Sequence, residues 1–246
     1  MKCLIDFGNT RCKWARSETG QPLSAETMTY SSTDVNQRID EIVNTLPFQS
    51  CEEIHIVSVL GNTFEQQLKV ALRIEADINP VFYHTATNKF GVKLSYEDPS
   101  TYGVDRYAAI VAAHHSSQLA KIIVDCGTAI TVDALNEKGN HLGGLIVPGV
   151  SLMRSLLANK AAMIPDIEND MPVELLNHST QTALHSGSVL SLKYGLQSMI
   201  QEMSEKLGSN VEVYVTGGES DLLGLLDHDF IHRPNLVLEG IQIMLD

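Results

Sequence analysis

"MKCLIDFGNTRCKW" (residues 1–14) puts an apolar run, an aspartate, a glycine and two small polar residues in immediate succession. The pattern recurs as "KIIVDCGTAITVD" (residues 121–133). Setting Cys3–Leu23 against Ile122–Leu142 without a gap brings Asp6 onto Asp125, Gly8 onto Gly127, Gly20 onto Gly139 and Leu23 onto Leu142, each 119 apart (125 − 6, 127 − 8, 139 − 20, 142 − 23). Each copy predicts a β-hairpin: a buried strand, a D-x-G turn whose glycine is free to take φ > 0, and an alternating second strand. Thr19-Gly20 and Lys138-Gly139 supply a further turn. The chain therefore reads as two related halves with a seam near residues 112–121, divided into domains 1–115 and 116–246.

The remaining pattern suits two α/β halves. "EEIHIVSVLG" (52–61), "NPVFYH" (79–84) and "VEVYVTGGES" (211–220) read as strands. Residues 63–74, 100–120, 151–162, 179–207 and 234–245 read as helices, with Ser100 as a cap for the second. Gly187 and Gly195 inside the fourth suggest close helix packing.

The bulk properties exclude several classes. With 246 residues, 43% of them apolar, the chain can bury a core. A formal charge of −13 argues against a nucleic-acid surface. The four cysteines form no CxxC pair and show no zinc spacing, which fits a reducing cytoplasm. The most apolar stretch, "LGGLIVPGVSLM" (142–153), is broken by Gly and Pro and is too short for a membrane span.

A turn at a strand tip exposes backbone N–H groups, and glycine lets a phosphate approach them. The hydroxyls of Thr10 and Thr128 add donors, and Lys13 and Thr216–Gly218 are further candidates. An aspartate beside a phosphate makes sense when Mg²⁺ stands between them, held through its water shell. A lone D-x-G is also simply a turn; it is the second copy in register that favours a nucleotide. "YGVDRYAA" (102–109) adds a third carboxylate at a helix start. Asp105 there is either a dipole partner or cap, or the base that accepts a hydroxyl proton during phosphoryl transfer. Arg106 would hold a carboxylate or polar group of the acceptor, and Tyr96 either lines the same pocket or is an ordinary buried core tyrosine.

The duplicated hairpins resemble the superfamily of acetate and sugar kinases, Hsp70 and actin. That implies an α/β fold of two duplicated ribonuclease-H-like (actin-like ATPase) domains with a cleft between them. "DFGNTRCKW", "YGVDR", "DCGTAITVD", "GGLIVPG", "STQTALHSG" and "TGG", in this order, resemble type III pantothenate kinases. The resemblance implies ATP-dependent phosphorylation of pantothenate to 4′-phosphopantothenate. It implies that Asp6, Phe7, Gly8, Asn9, Thr10, Arg11, Cys12, Lys13 and Thr128 bind ATP, and that Asp105 is the base. Tyr96, Gly103, Val104, Asp105, Arg106 and Thr180 would contact pantothenate. Asp6 would hold Mg²⁺ through water, and Asp125 a monovalent cation, K⁺ or NH₄⁺. It further implies a homodimer, with the helix from Ser179 as the contact, and a cytoplasmic location. The sequence departs from the family at Ala161, where a threonine is usual, at Ile164 before Pro165, and at Glu219 in place of an aspartate. A non-catalytic regulator on the same scaffold, or a kinase of another small alcohol, is the alternative.

Overall fold

The structure, a computed structural model, describes residues 1–18, 21, 23–160, 171–208, 210–220 and 229–245, the side chains of 158–160 excepted. Gly20, Ala161, Ile164 and Pro165 lie outside the described residues. The chain folds as two compact units. The first comprises Met1–Gln118, Lys138–His141 and Asn235–Asp246; the second comprises Leu119–Glu137 and Leu142–Pro234.

In chain order the elements are β1 (Lys2–Phe7), β2 (Arg11–Ser17), β3 (Ala25–Thr29), α1 (Val35–Thr45), β4 (Glu53–Ser58), α2 (Gly61–Ala76) and β5 (Val81–Phe82). A small hairpin, β6 (Asn88–Lys89) and β7 (Val92–Lys93), precedes α3 (Val104–Ser116). Then come β8 (Ala120–Cys126), β9 (Ala129–Leu135), β10 (His141–Pro148), α4 (Val150–Lys160), α5 (Thr180–Leu207), β11 (Val211–Thr216), β12 (Ile231–His232) and α6 (Leu236–Met244). The first sheet runs β3-β2-β1-β4-β5 and the second β10-β9-β8-β11-β12. In each, the hairpin is antiparallel and its first strand pairs in parallel with the strand that follows the helical crossover. The duplication read from D-x-G thus extends to whole sheets.

The register shows where the copies diverge. β1 pairs with β2 from Lys2↔Ser17 to Phe7↔Cys12, and β8 with β9 from Lys121↔Leu135 to Cys126↔Ile130. The first strands are offset by 119 (121 − 2, 126 − 7), but their partners by 118 (135 − 17, 130 − 12). The ungapped alignment therefore slips by one residue inside the turn, because the second turn is one residue shorter. The core agrees with the shift. Ile5, Phe7, Cys12 and Trp14 in one unit correspond to Val124, Cys126, Ile130 and Val132 in the other, all buried. A one-residue slip in a strand would turn these side chains to the opposite face.

Helices close each core from the hairpin's apolar face. Phe64, Leu68 and Leu72 recur every four residues on α2 and fall on one stripe. Phe64 meets Phe7 edge-on at 5.2 Å. Leu192, Leu196 and Ile200 do the same on α5. Burial of each such side chain is worth about 1.5–3 kcal/mol. In the first unit, α3 is buried nearly all round, and α6 crosses it where Gly240 faces the Ala108 carbonyl with no room for a methyl group. Two local expectations change. Ser100 does not cap α3: Asp98 caps a 3-10 turn at Pro99–Thr101, and Gly103 immediately precedes α3. No described atom comes within 4 Å of a methyl group placed at Gly187 or Gly195, so neither glycine serves close packing among the described residues.

Candidate active site

The first turn spans Gly8 to Arg11, closed by the Gly8 N–H donating to the Arg11 carbonyl at 3.0 Å. Asn9 and Thr10 are exposed at its tip. Phe7 and Cys12 are fully buried in the core, so only their backbone can meet a phosphate. Burial, reinforced by the charge of Asp6, pushes the Cys12 thiol up to about 12. Asp6 and Lys13 are directly paired across β1 and β2, on the same face of the sheet. The turn thus carries a carboxylate and, within two residues of its end, both Arg11 and Lys13, half-buried.

The second turn is built differently. Gly127 N–H donates to the Ala129 carbonyl at 3.2 Å, and Thr128 is exposed. Asp125 lies between Thr131 on β9 and Thr216 on β11. The Gly149 N–H donates to the Thr128 carbonyl at 2.9 Å, and a methyl group at Gly149 would sit 2.6 Å from the Gly127 oxygen. Gly217 has φ +94, and a side chain there would overlap the Cys126 backbone. Burial, then Asp125 and Glu219, push the Cys126 thiol up. Neither Gly8 nor Gly127 takes a positive φ. Glycine gives these turns clearance instead: a methyl would stand 3.1 Å from the Arg11 oxygen in one and 3.3 Å from the Ala129 oxygen in the other, which a shift of a few tenths of an ångström would relieve.

The third carboxylate sits in the first turn of α3, in the first unit. Asp105 is not the cap; Gly103 holds that position without a side-chain bond. Asp105 Oδ1 accepts from the Arg106 N–H at 2.7 Å, and a methyl group on Gly103 would lie 2.5 Å from that oxygen. Arg106 is buried, its guanidinium carbon 4.4 Å from the centre of the Tyr102 ring. Tyr102 in turn meets Tyr96 edge-on at 4.9 Å and His141 at 5.1 Å. His141 Nδ1 is 3.0 Å from Ser95 Oγ. Tyr96, Gly103, Val104, Asp105 and Arg106 therefore gather in one place. Tyr102, which the sequence does not single out, packs against both Arg106 and Tyr96, and His141, also not singled out, packs against Tyr96. Tyr102 had a signal in its position one residue before Gly103; His141 had none. Thr180 belongs to the second unit, exposed at the start of α5, where Ser179 Oγ accepts from the Thr182 N–H at 3.2 Å.

Among the described residues, no three His, Cys, Asp or Glu side chains gather as a metal cluster. No described helix is long and apolar enough to cross a membrane.

Similarity to known proteins fits this geometry. Type III pantothenate kinases of Nitrosococcus oceani and Alcanivorax borkumensis are 31% and 32% identical to the chain, each over 98% of it and over 92% and 97% of their own lengths. A conserved putative Baf family transcriptional activator from Campylobacter jejuni superposes with a TM-score of 0.63 at 20% identity, covering 99% of this chain and 97% of that one. A putative 2-dehydro-3-deoxygalactonokinase from Sinorhizobium meliloti gives 0.60 at 12% identity, covering 98% and 95%. At such identities these two structures speak for the fold alone, that of the actin-like ATPases and sugar kinases. The sequence profile of the type III pantothenate kinases matches residues 3–205, and the chain belongs to that family.

Proposed function

We infer that the chain is a pantothenate kinase, transferring the γ-phosphoryl group of ATP to the pantothenate hydroxyl in the first step toward coenzyme A. The observation that carries the reading is the Gly103–Arg106 segment: a carboxylate at a helix start, beside a buried arginine packed against the Tyr102 ring. Asp105 accepts the proton of the attacking hydroxyl. Arg106 binds the acceptor's carboxylate, with Tyr96, Gly103, Val104 and Thr180 as further contacts. Asp6 to Lys13 in the first unit and Thr128 in the second take the phosphates through backbone N–H groups and hydroxyls.

The donor set fits Mg²⁺ at Asp6, the penultimate residue of β1, which lies outside any cluster of three carboxylate, thiol or imidazole groups among the described residues. Such a site suits an ion that keeps most of its waters and takes oxygens from phosphates. When bound, the ion neutralises charge on the β- and γ-phosphates. We also propose K⁺ or NH₄⁺ at Asp125. The support is local negative potential: Asp125 and Glu219 both act on Cys126, and Glu219 Oε2 is buried without a hydrogen bond among the described residues. A homodimer through α5 and a cytoplasmic location complete the proposal. The open surface at Gly187 and Gly195 and the exposed Tyr194 support the first; four buried free cysteines support the second. The non-catalytic alternative has no residue in its favour, since Asp6, Asp105, Asp125, Gly8 and Gly127 are all kept.

An ATP-consumption assay with Mg²⁺ tests the reading. Turnover that requires pantothenate, and rises when K⁺ replaces Na⁺, is the expected result. Folded protein with no pantothenate-dependent turnover overturns it. Light scattering in solution checks the dimer.

A further inference from the structure

A cavity of about 520 Å³ opens in the first unit at the C-terminal ends of β4 and β5. Ser58, Asn62 and Glu65 line one side, His84 stands after β5, and Gly103 and Val104 close the far wall. In open α/β sheets ligands bind beyond the carboxyl ends of the strands, and the volume is that of a small-molecule pocket. The far wall is the backbone immediately ahead of Asp105, so the cavity abuts the segment that carries the proposed chemistry.

One group in this cavity lacks a structural explanation. The Glu65 side chain is only 8% exposed. It makes no hydrogen bond among the described residues; its single partner is His84 Nε2 at 3.8 Å, beyond hydrogen-bond length. His84 is 65% exposed, so the pair is weakly held. Its oxygens open onto the cavity, where no described N–H or O–H donates to them, and the dipole of α2, spent within the first turn, does not reach Glu65 at the fifth residue of the helix. Phe64 and Leu68 show that an apolar side chain would suit this part of α2. A carboxylate aimed into a pocket, short of donors, calls for a ligand that brings one.

The chemistry of that ligand follows from the wall. Glu65 repels a carboxylate and accepts from an N–H or O–H. Pantothenate offers an amide N–H and a second hydroxyl besides the one that is phosphorylated. Its carboxylate is already assigned to Arg106. We propose that Glu65 is an acceptor-specificity residue whose carboxylate receives a hydrogen bond from a neutral N–H or O–H of pantothenate in this cavity. The proposal rests on the pantothenate kinase reading above.

Steady-state kinetics of wild type, Glu65→Ala, Glu65→Gln and His84→Ala test it. Loss of a hydrogen bond to a charged group raises KM for pantothenate about 10-fold or more in Glu65→Ala. KM for ATP stays within twofold, and so does kcat. Glu65→Gln, which keeps an accepting oxygen, recovers part of the loss; His84→Ala, at an exposed position, changes KM for pantothenate by less than threefold. A pantothenate analogue with its amide N-methylated, or one lacking the second hydroxyl, loses affinity for wild type but not for Glu65→Ala. Unchanged KM for pantothenate in Glu65→Ala overturns the assignment, as does an equal rise in both KM values with a lowered melting temperature. Wild type without pantothenate-dependent turnover removes the kinase reading first, and the assignment with it.

Discussion

The two D-x-G turns descend from one pattern and now do different work. The turn at Gly8 is open. It projects Asn9 and Thr10, carries Arg11 and Lys13 close behind, and is closed by a bond within itself. The turn at Gly127 is one residue shorter and braced from outside, by Gly149 on one side and Gly217 on the other. It has no basic residue beside it in sequence, and carboxylates at Asp125 and Glu219 instead. Duplication therefore preserved the sheet and let the tips specialise. The first tip is free to meet an anion; the second is held rigid around a negative centre. The helices after the fifth strands diverged as well. α3 opens with Gly103, Asp105 and Arg106, whereas α6 opens with Leu236 and Val237, both buried.

This contrast is tested first where it is sharpest. Asp105→Asn should lower kcat about 10³-fold, within the range for loss of a general base, with an unchanged melting temperature; near-normal kcat would return Asp105 to the status of a dipole partner. Gly103→Ala should come next, about 10²-fold in kcat, because the new methyl displaces the Asp105 carboxylate and small misplacements are costly. The glycines of the two tips should then separate by readout. Gly8→Ala should raise KM for ATP about 10-fold with little loss of stability. Gly217→Ala should cost about 2 kcal/mol, from its left-handed φ and backbone overlap, and lower the melting temperature by roughly 5 °C. Equal stability losses at both positions would erase the distinction between an open and a braced tip.

The smallest effect concerns pH. His185, buried on α5, accepts from the Arg154 guanidinium at 2.6 Å through Nδ1, since arginine only donates. Burial, then Arg154, push its pKa below the usual histidine value. The folded chain then stays neutral there while the unfolded chain takes up a proton. Stability is unaffected above about pH 6.5 and falls as pH drops below it, until the folded ring also titrates. Melting temperatures from pH 7.5 to 5.5 should show the fall, and His185→Gln should flatten it.

Local pattern made the two hairpins, β4, β5, β11 and the three carboxylates legible, because each is fixed by neighbours in sequence; β3, α1, β10 and β12 were not read from it. The one-residue slip between the hairpins was not, since register is set by which residues pair across the sheet. Ser100 lost its expected place because Asp98, two residues earlier, caps a 3-10 turn of its own. The role of Gly103 was hidden for a similar reason: the need is clearance for a neighbouring side chain, which a backbone-conformation argument does not detect. His141 against Tyr102, and Glu65 in a cavity walled by Gly103, depend on segments far apart in the chain. Nothing in periodicity or spacing reports such meetings.

The return of α6 to the first unit has a consequence for biosynthesis. Emerging from the ribosome, the segment bearing Asp105 stays unfinished until Leu236–Met244 arrives to cover α3, whereas the second sheet's strands have all emerged by His232. A nascent chain paused between these points would hold a completed later half and an incompetent earlier one, which delays any phosphate chemistry until translation reaches that helix.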